Sequence, residues 1–532
     1  MLFNSFSFIF VFLPIALAGF FLVSRLGRAY AAAWLMLASF VFYGMWNPRY
    51  VLLLLISISF NFIMGELIHA SAGRPGRQKA LLTFGVGCNV LALVYYKYLF
   101  SLLGFANSVG IAHLHVLPMV LPLGISFFTF TQIGYLVDVQ QDMARERGLL
   151  NYVLFVTFFP HLIAGPILHN GEIMPQFAES QTYRFSPQNF MAGIVIFIIG
   201  LAKKCLLADP ISANVHAGFA DPSHLQLFAA WFTMLCFCLQ LYFDFSGYTD
   251  MAIGIARMFN IRFPINFNSP YKATSMIEHW HRWHMTLSRF LNQYLFNPIA
   301  FAVARYRARH GMKINKTAQK RPIGFLVMVA FPLMVTMGLA GAWHGAGLTF
   351  LIFGLLHGFY LTVNHAWRLA FPPTDGKRNP LGVAASFLLT FLCVMFAMIF
   401  FRSPNLPTAM EILGGMTGMH GLDWASTPFA AMMQLGSAHM QGVPNAIAFA
   451  KMLNTLVKNT AGDAWVVLCC VIVWGFPNTQ QLMAHYDNAA AAAGRAILNW
   501  RPTIGWAAAI GAMCAVALLA ISGTTEFLYY QF

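Results

Sequence analysis

The sequence predicts an all-α integral membrane protein in one continuous domain. Of its 532 residues, 59% are hydrophobic and 9% are charged, whereas about 25% of the residues in soluble domains are charged. Apolar runs near the ~20 residues that a helix needs to cross a bilayer recur along the whole chain. They cover residues 6–25, 29–46, 50–69, 80–105, 116–137, 150–168, 188–208, 226–256, 324–341, 346–367, 382–401, 463–485 and 503–522. We expect about 10 to 13 membrane segments, some of them re-entrant.

The first apolar run is expected to be a retained helix. It lacks a basic region before it and a small-residue cleavage site after it, and a second apolar segment follows at once. These features argue against a removable signal peptide. The eight cysteines all lie inside apolar runs. We therefore interpret them as small buried hydrophobic residues, without disulfides or metal binding.

The distribution of positive charge predicts the orientation in the membrane. The net charge is +15, and residues 257–323 carry twelve Lys and Arg against the single acid Glu278. Lys and Arg concentrate in cytoplasmic loops of bacterial membrane proteins. We expect a multi-pass protein of the bacterial inner membrane, with a periplasmic N-terminus, a cytoplasmic 257–323 segment and a periplasmic 403–462 loop. In this scheme residues 1–115 are peripheral helices, 116–402 form a catalytic core and 463–532 are C-terminal helices.

The stretch 338–347, with sequence GLAGAWHGAG, interrupts an apolar run that extends from Phe325 to Tyr360. Ionisable residues at membrane depth are costly and are functional candidates. Glycines weaken a helix, and broken backbone at that depth is tolerated where protein or a water-filled cavity surrounds it. The pattern predicts a helix break with His344 lining a cavity. A hairpin turn at the interface, with His344 facing water, is the alternative.

Three further stretches combine polar residues with helix breakers. Residues 122–132 suggest a broken or re-entrant element, although Ser and Thr in membrane helices more often hydrogen-bond to neighbouring helices. The three prolines of 158–177 predict a kinked element. Lys203-Lys204 are expected to end another span. Asp244 and Asp250 would either line a polar cavity or pair with the basic segment that follows, and pairing is favoured.

Residues 278–298 predict an amphipathic helix along the cytoplasmic interface. Trp280, Trp283 and His284 fall broadly on one side of such a helix, together with further apolar residues. The histidines at 279, 281 and 284 point in three directions at helical spacing, which disfavours a metal site. His357 is interpreted as a packing histidine bonded to a carbonyl.

Taken in order, these stretches resemble the membrane-bound O-acyltransferase superfamily, specifically its bacterial polysaccharide-modifying branch typified by alginate O-acetyltransferases. The matching residues are 122–132, 158–176, 240–250, 266–271, 280–294, 343–347 with His357-Gly358, and 527–532. The resemblance implies a fold with a central cavity or tunnel, a catalytic histidine at His344 and a second polar active-site position at His284. Further candidates to line the cavity or bind substrate are Trp343, Trp283, His357, Ser126, Gln132, Pro166, Asp244, Tyr248, Asn268, Lys272, Arg282 and Ser288.

Acyl transfer to a hydroxyl needs a base within hydrogen-bond reach, and a neutral imidazole suits that task. The basic cytoplasmic face offers phosphate partners for coenzyme A, among them Lys272, Arg282, Arg289 and the cluster at 305–321. We predict an O-acetyltransferase that uses acetyl-CoA as a substrate and needs no bound cofactor, metal or nucleic acid. Its acceptor would be an exopolysaccharide such as alginate or cellulose, or a periplasmic partner protein, with a polysaccharide synthase complex as a further partner.

Two alternatives remain open at this point. Within the same class, the chain would transfer D-alanine from a carrier protein to teichoic acid. In a different class, it would be a transporter or flippase for a lipid-linked saccharide. That class predicts internal repeats with paired broken helices, and the sequence contains no second copy of the Trp-His-Gly or the Pro-Leu-Gly-Ile-Ser stretch.

Overall fold

The computed structural model describes residues 1–108, 110, 121–144, 146–372, 379–422, 463–484, 498–521 and 528. Within these ranges the regular structure is helical throughout and contains no strand, as predicted. The helices of the first half are α1 (Leu13–Val23), α2 (Arg28–Gly44), α3 (Arg49–Ala70), α4 (Pro75–Lys97), α5 (Leu99–Ser108), α6 (Ile125–Gln140), α7 (Leu149–Thr157), α8 (Phe159–Leu162), α9 (Asn170–Ala178), α10 (Pro187–Ala202), α11 (Asp209–Ala220) and α12 (Leu227–Met258).

The second half continues with shorter helices before three long ones. These are α13 (Met276–Trp280), α14 (Met285–Leu291), α15 (Asn297–Arg309), α16 (Lys316–Gln319), α17 (Pro322–Phe325), α18 (Phe331–His344), α19 (Leu348–Ala370), α20 (Pro380–Arg402), α21 (Leu406–Met416), α22 (Asp463–Gly475), α23 (Thr479–Met483) and α24 (Ile504–Leu519). Single π-helical turns extend α1, α10, α14 and α17.

Seven helices in the described part of the chain are long and apolar enough to cross a membrane. They are Arg49–Ala70, Pro75–Lys97, Pro187–Ala220, Leu227–Met258, Pro322–His344, Leu348–Ala370 and Pro380–Arg402. Phe8–Val23, Asp463–Gly475 and Ile504–Leu519 are shorter apolar helices. The chain is therefore a multi-pass membrane protein. A π-helical turn carries the helix Pro187–Ala220 through Lys203-Lys204 without a break, and the end of the membrane span near Lys203-Lys204 and Asp209-Pro210 stays a prediction.

Helix α12 lies at the centre of the molecule, and nearly every residue from Cys236 to Met258 is buried. It packs against α10 through two glycine pairs, Gly193 with Gly254 and Gly200 with Gly247. The two glycines of each helix are seven residues apart. A Cβ added at Gly193 would lie 2.5 Å from the Gly254 carbonyl oxygen, and one at Gly200 would lie 2.5 Å from that of Gly247. Only glycine permits this close approach of the two helix backbones.

Helices α18 and α19 form a hairpin joined by the three residues 345–347. A Cβ on Gly341 would lie 2.3 Å from the Phe350 carbonyl oxygen, and one on Gly345 would lie 2.1 Å from the Phe350 ring. The glycines of the 338–347 stretch therefore serve close packing as well as the turn. This part of the chain breaks where the sequence predicted, with α18 ending at His344.

The two other interrupted segments differ from each other. Residues 163–169 are non-helical between α8 and α9, so the predicted kinked element is confirmed. The predicted break within 122–132 is confirmed at its N-terminal end, where residues 122–124 are non-helical and Gly124 has a positive φ of 72°. From Ile125 the chain continues as the unbroken helix α6 to Gln140. Of the predicted 403–462 loop, residues 423–462 lie outside the described residues.

Candidate active site

A buried cavity lies between α12, the 276–291 segment, the α18–α19 hairpin and α20. Its lining contains four histidines among aromatic and aliphatic side chains, namely Leu241, Phe245, His279, Trp280, Trp283, His284, Leu287, His344, Phe353, His357, Met398 and Phe401. The cavity measures about 20 Å³, which is room for one or two water-sized groups. The structure thus brings together His344, His284, His357 and Trp283 of the predicted site.

His344 is the last residue of α18 and is 9% exposed. Its ring contacts the rings of Trp343, Phe401 and Phe353, with centroids 4.9, 5.3 and 5.9 Å away. The imidazole therefore sits in an apolar, aromatic wall of the cavity. The alternative of an interface turn with His344 facing water does not fit this burial.

Two side chains from the end of α4 hold the C-terminus of α18 in place. Lys97 Nζ donates to the carbonyl oxygens of Trp343 and His344, the latter at 3.0 Å, and Tyr98 donates to the carbonyl oxygen of Ala342. The last carbonyls of a helix have no partner within it, and a cation there is stabilising. Sequence reasoning missed both residues, because they are more than 240 positions away from the carbonyls that they bind.

His284 is held in an uncommon backbone conformation by Asn266. It has a left-handed φ of 42° and precedes α14. Its Nδ1 lies 3.0 Å from Asn266 Oδ1, which also accepts from the backbone N–H and the hydroxyl of Thr286, at 3.2 and 2.9 Å. The backbone N–H identifies that atom of Asn266 as the acceptor oxygen. His284 therefore donates from Nδ1, and its buried Nε2 has no hydrogen-bond partner in the structure.

His357 belongs to α19 and is 1% exposed. Its Nδ1 accepts a hydrogen bond of 3.2 Å from Trp280 Nε1, and its buried Nε2 has no hydrogen-bond partner in the structure. The prediction that His357 bonds to a carbonyl is wrong, since its partner is an indole. The prediction that it lines the cavity is confirmed.

The sequence predicted one amphipathic helix along the interface over residues 278–298, and this prediction is wrong. Residues 281–284 separate α13 from α14, and Trp280, Trp283 and His284 are buried in the cavity wall. His279 lies 3.3 Å from the Pro270 carbonyl oxygen, whereas His281 is exposed. No group of three His, Cys, Asp or Glu residues suited to a metal occurs in the part of the chain that the structure describes.

Trp343 lies beside the cavity. Its ring stacks on Phe130 of α6 at 4.7 Å and 16°. It therefore packs between Phe130 and the His344 ring, and its side chain does not line the cavity.

Ser126, Gln132 and Pro166 lie outside the cavity lining. Gln132 donates to Ser57 and accepts from Tyr152, at 2.9 and 3.3 Å, so it joins three helices. Ser126 is half-buried in the first turn of α6, and Pro166 is buried in the non-helical segment beside α8.

Asp244 and Tyr248 of α12 also lie outside the cavity lining. Asp244 pairs with Lys204 at 2.7 Å, and Asp250 pairs with Lys203 at 2.6 Å. Pairing of these acids is confirmed, but their partners precede them on the neighbouring helix instead of following in the basic segment. Tyr248 stacks on Phe3 at 4.6 Å.

The remaining polar candidates fix the structure around the 276–291 segment. Ser288 donates to the Trp280 carbonyl oxygen at 2.9 Å, and Arg282 pairs with Glu278 at 2.6 Å. Lys272 donates to the Phe476 carbonyl oxygen at 2.7 Å, and Asn268 accepts from Asn478 at 2.9 Å. None of these four side chains lines the cavity.

Comparisons with known proteins agree with this architecture. The family model described as MBOAT, membrane-bound O-acyltransferase family, matches residues 140–311, which include His284. The chain is 39% identical over 450 residues to a peptidoglycan O-acetyltransferase of Helicobacter pylori, with 79% of this chain and 81% of that protein covered. The chain belongs to the membrane-bound O-acyltransferase family.

Two other relatives differ in how similar they are to the chain. A probable alginate O-acetylase of Pseudomonas aeruginosa is 35% identical over 423 residues, covering 78% of this chain and 75% of that protein. A teichoic acid D-alanyltransferase of Bacillus subtilis is 25% identical over 279 residues, covering 52% of this chain and 67% of that protein. The chain is thus an O-acyltransferase of the bacterial polysaccharide O-acetyltransferase branch, as the resemblance implied, and the transporter alternative is set aside.

Proposed function

We propose that this O-acyltransferase takes acetyl groups from cytoplasmic acetyl-CoA and transfers them, through the histidine-lined cavity, to an acceptor on the periplasmic side of the bacterial inner membrane. The observation that carries the proposal is the convergence of His344, His284 and His357 on one buried cavity of a multi-pass protein. Such a site excludes bulk water, which would otherwise compete with the acceptor hydroxyl for the acyl group.

His344 is assigned as the general base that takes the proton of the acceptor hydroxyl. Burial among aromatic rings favours the neutral imidazole, which is the form that accepts a proton. His284 is the second candidate, since its hydrogen bond to Asn266 leaves Nε2 as the acceptor atom of the neutral ring. An acceptor nitrogen oriented by a second hydrogen bond is the arrangement expected of a base and its orienting partner.

The donor is proposed to bind through cations near the 257–323 segment. Six basic residues of the 305–321 cluster are exposed, namely Arg305, Arg309, Lys313, Lys316, Lys320 and Arg321. Arg282 and Lys272 are half-buried, and both already have protein partners. Arg289 is held by both carboxylate oxygens of Glu172, at 2.5 and 2.8 Å. The exposed cluster is therefore the better source of phosphate contacts.

The acceptor is proposed to be a cell-envelope or extracellular polysaccharide, modified directly or through a periplasmic partner protein. The names of the relatives above favour peptidoglycan or alginate as the polymer. Acetylation of cellulose remains a prediction from the sequence. Transfer of D-alanine to teichoic acid is the less favoured alternative, because the relative with that name is more distant.

Reconstitution tests the proposed donor and acceptor together. The purified protein in proteoliposomes would be given radiolabelled acetyl-CoA on one side and muropeptides, alginate oligosaccharides or cello-oligosaccharides on the other. We expect release of free CoA and label on at least one saccharide. Label transferred from D-alanyl carrier protein, with none from acetyl-CoA, would replace this function by D-alanyl transfer.

The proposed orientation has its own test. Single cysteines near Lys313 and Gly442 would be labelled in intact cells with a membrane-impermeant reagent. We expect labelling near Gly442, a position outside the described residues, and protection near Lys313, because the basic segment is placed in the cytoplasm. The reverse pattern would overturn the orientation.

A further inference from the structure

We propose that His357 donates a hydrogen bond from Nε2 to the carbonyl oxygen of the acyl group during transfer. This rests on the proposed function and adds a third histidine to the site. Its role differs from that of a base, because His357 would stabilise charge on the substrate without taking a proton.

The starting observation is a buried polar atom without a partner. His357 is 1% exposed and lines the cavity, and its Nε2 has no hydrogen-bond partner in the structure. A buried polar group left unpaired is destabilising. When such a group lines a cavity, it is a candidate to bind a substrate there.

The hydrogen bond from Trp280 determines which nitrogen of His357 carries the proton. The indole N–H can only donate, so Nδ1 of His357 accepts and carries no hydrogen. The ring is therefore neutral and its one N–H is at Nε2. The unpartnered atom is thus a hydrogen-bond donor.

His284 has the opposite polarity. It donates from Nδ1 to Asn266, so in the neutral ring Nε2 is an acceptor. The cavity therefore contains an unpartnered acceptor on His284 and an unpartnered donor on His357. Acyl transfer to a hydroxyl needs a base for the hydroxyl proton, which is assigned to His344, and a donor for the carbonyl oxygen, which gains negative charge. Of these two histidine atoms, only His357 Nε2 can be that donor.

The acceptor hydroxyl oxygen attacks the thioester carbonyl carbon, its proton passes to the histidine base, and the carbonyl π electrons move to oxygen. The oxyanion then re-forms the carbonyl and expels the thiolate, which takes the proton back from the imidazolium. The products are the O-acetyl ester and free CoA. His357 keeps its own proton throughout and strengthens its hydrogen bond as the oxyanion forms.

Two substitutions separate donation from proton uptake. His357→Leu removes the donor, and we expect kcat to fall about 10²–10³-fold with little change in the KM for acetyl-CoA. His357→Gln retains an N–H group but cannot take up a proton, so it should recover at least tenfold of that loss. His161→Gln is the matched control, because His161 is a buried histidine bonded to the Phe155 carbonyl and lies outside the cavity lining.

Trp280→Phe tests the fixed tautomer. Without the indole N–H, the proton of His357 can move to Nδ1, so kcat should fall, though less than in His357→Leu. Trp474→Phe is its control, since Trp474 also donates from its indole, to the Tyr271 carbonyl oxygen, and does not line the cavity. Full kcat in Trp280→Phe would overturn the tautomer assignment.

The readout is CoA release from acetyl-CoA with the muropeptide and alginate oligosaccharides above, per amount of protein that elutes as a folded species. Equal loss in His357→Leu and His357→Gln would make His357 a base or a structural residue and overturn donation. Full activity in His357→Leu would do the same. Failure of the unmodified protein to consume acetyl-CoA with any acceptor would instead overturn the proposed function itself.

Discussion

The two sides of the cavity hold their histidines by different means. On the α18–α19 side, His344 is positioned through its backbone, because Lys97 and Tyr98 bind the carbonyls at the end of α18. On the 276–291 side, His284 is positioned through its ring, by the hydrogen bond to Asn266. The hydrogen bond to Asn266 defines the donor and acceptor atoms of the His284 ring, and the contacts with Lys97 and Tyr98 fix the backbone at His344.

Among the substitutions that test this difference between the two sides of the cavity, the largest loss of turnover is expected at His284. His284→Ala removes the imidazole ring that lines the cavity, and we expect turnover to fall at least about 10²-fold. Membrane insertion and abundance should be maintained, since the ring lines a cavity. Acetyl transfer and protein abundance would be measured together. A variant that retains most of its turnover would remove His284 from the mechanism.

A smaller effect is expected at Asn266, which acts on His284 without lining the cavity. Asn266→Ala frees both the ring and the Thr286 N–H, so kcat should fall about tenfold to a hundredfold while KM for acetyl-CoA stays close to its original value. Asn189→Ala is the matched control, because Asn189 donates to Asn260 at 2.8 Å, away from the cavity. If Asn266→Ala and Asn189→Ala had the same kcat, the ring of His284 would not need this bond.

The smallest effect is expected at Lys97. A cation at a helix C-terminus contributes up to about 2 kcal/mol when partly buried, so Lys97→Met should lower kcat by about tenfold and lower the temperature of thermal inactivation. Lys97→Arg keeps the charge and the donors and should restore much of both. Loss of activity in Lys97→Arg as severe as in Lys97→Met would mean that the α4 clamp acts by shape instead of charge.

Structural elements could be predicted from the sequence where the residues that determine them are close together in the chain. The break at His344 follows from neighbouring glycines, and the long central helix was predicted at 226–256 and observed at Leu227–Met258. The continuous helix predicted over 278–298 was wrong because Trp280, Trp283 and Leu287 keep helical spacing across the left-handed residue His284. No local pattern marks that conformation, which depends on Asn266, 18 positions earlier.

Contacts between distant segments could not be read from the sequence. Lys97 belongs to residues 1–115, which are predicted to be peripheral helices, and nothing near it in the sequence indicates that it binds carbonyls 246 and 247 positions further along. Likewise, the acids of α12 were correctly expected to pair, but their partners Lys203 and Lys204 could be identified only after α10 and α12 were seen to pack together. Salt-bridge partners depend on which helices are neighbours in the fold. The order of the sequence favoured the basic segment that follows Asp250, which was the wrong one.

The most direct test of the account is the acetyl transfer rate of purified His344→Gln protein beside His344→Ala. Glutamine keeps a hydrogen-bonding group at this position but cannot take up the hydroxyl proton. If His344 is the general base, both variants should lose about 10²–10⁴ in rate, with abundance nearly unchanged. If His344→Gln transferred acetyl groups from acetyl-CoA at close to the unmodified rate, His344 would be a structural residue, and the base would have to be His284.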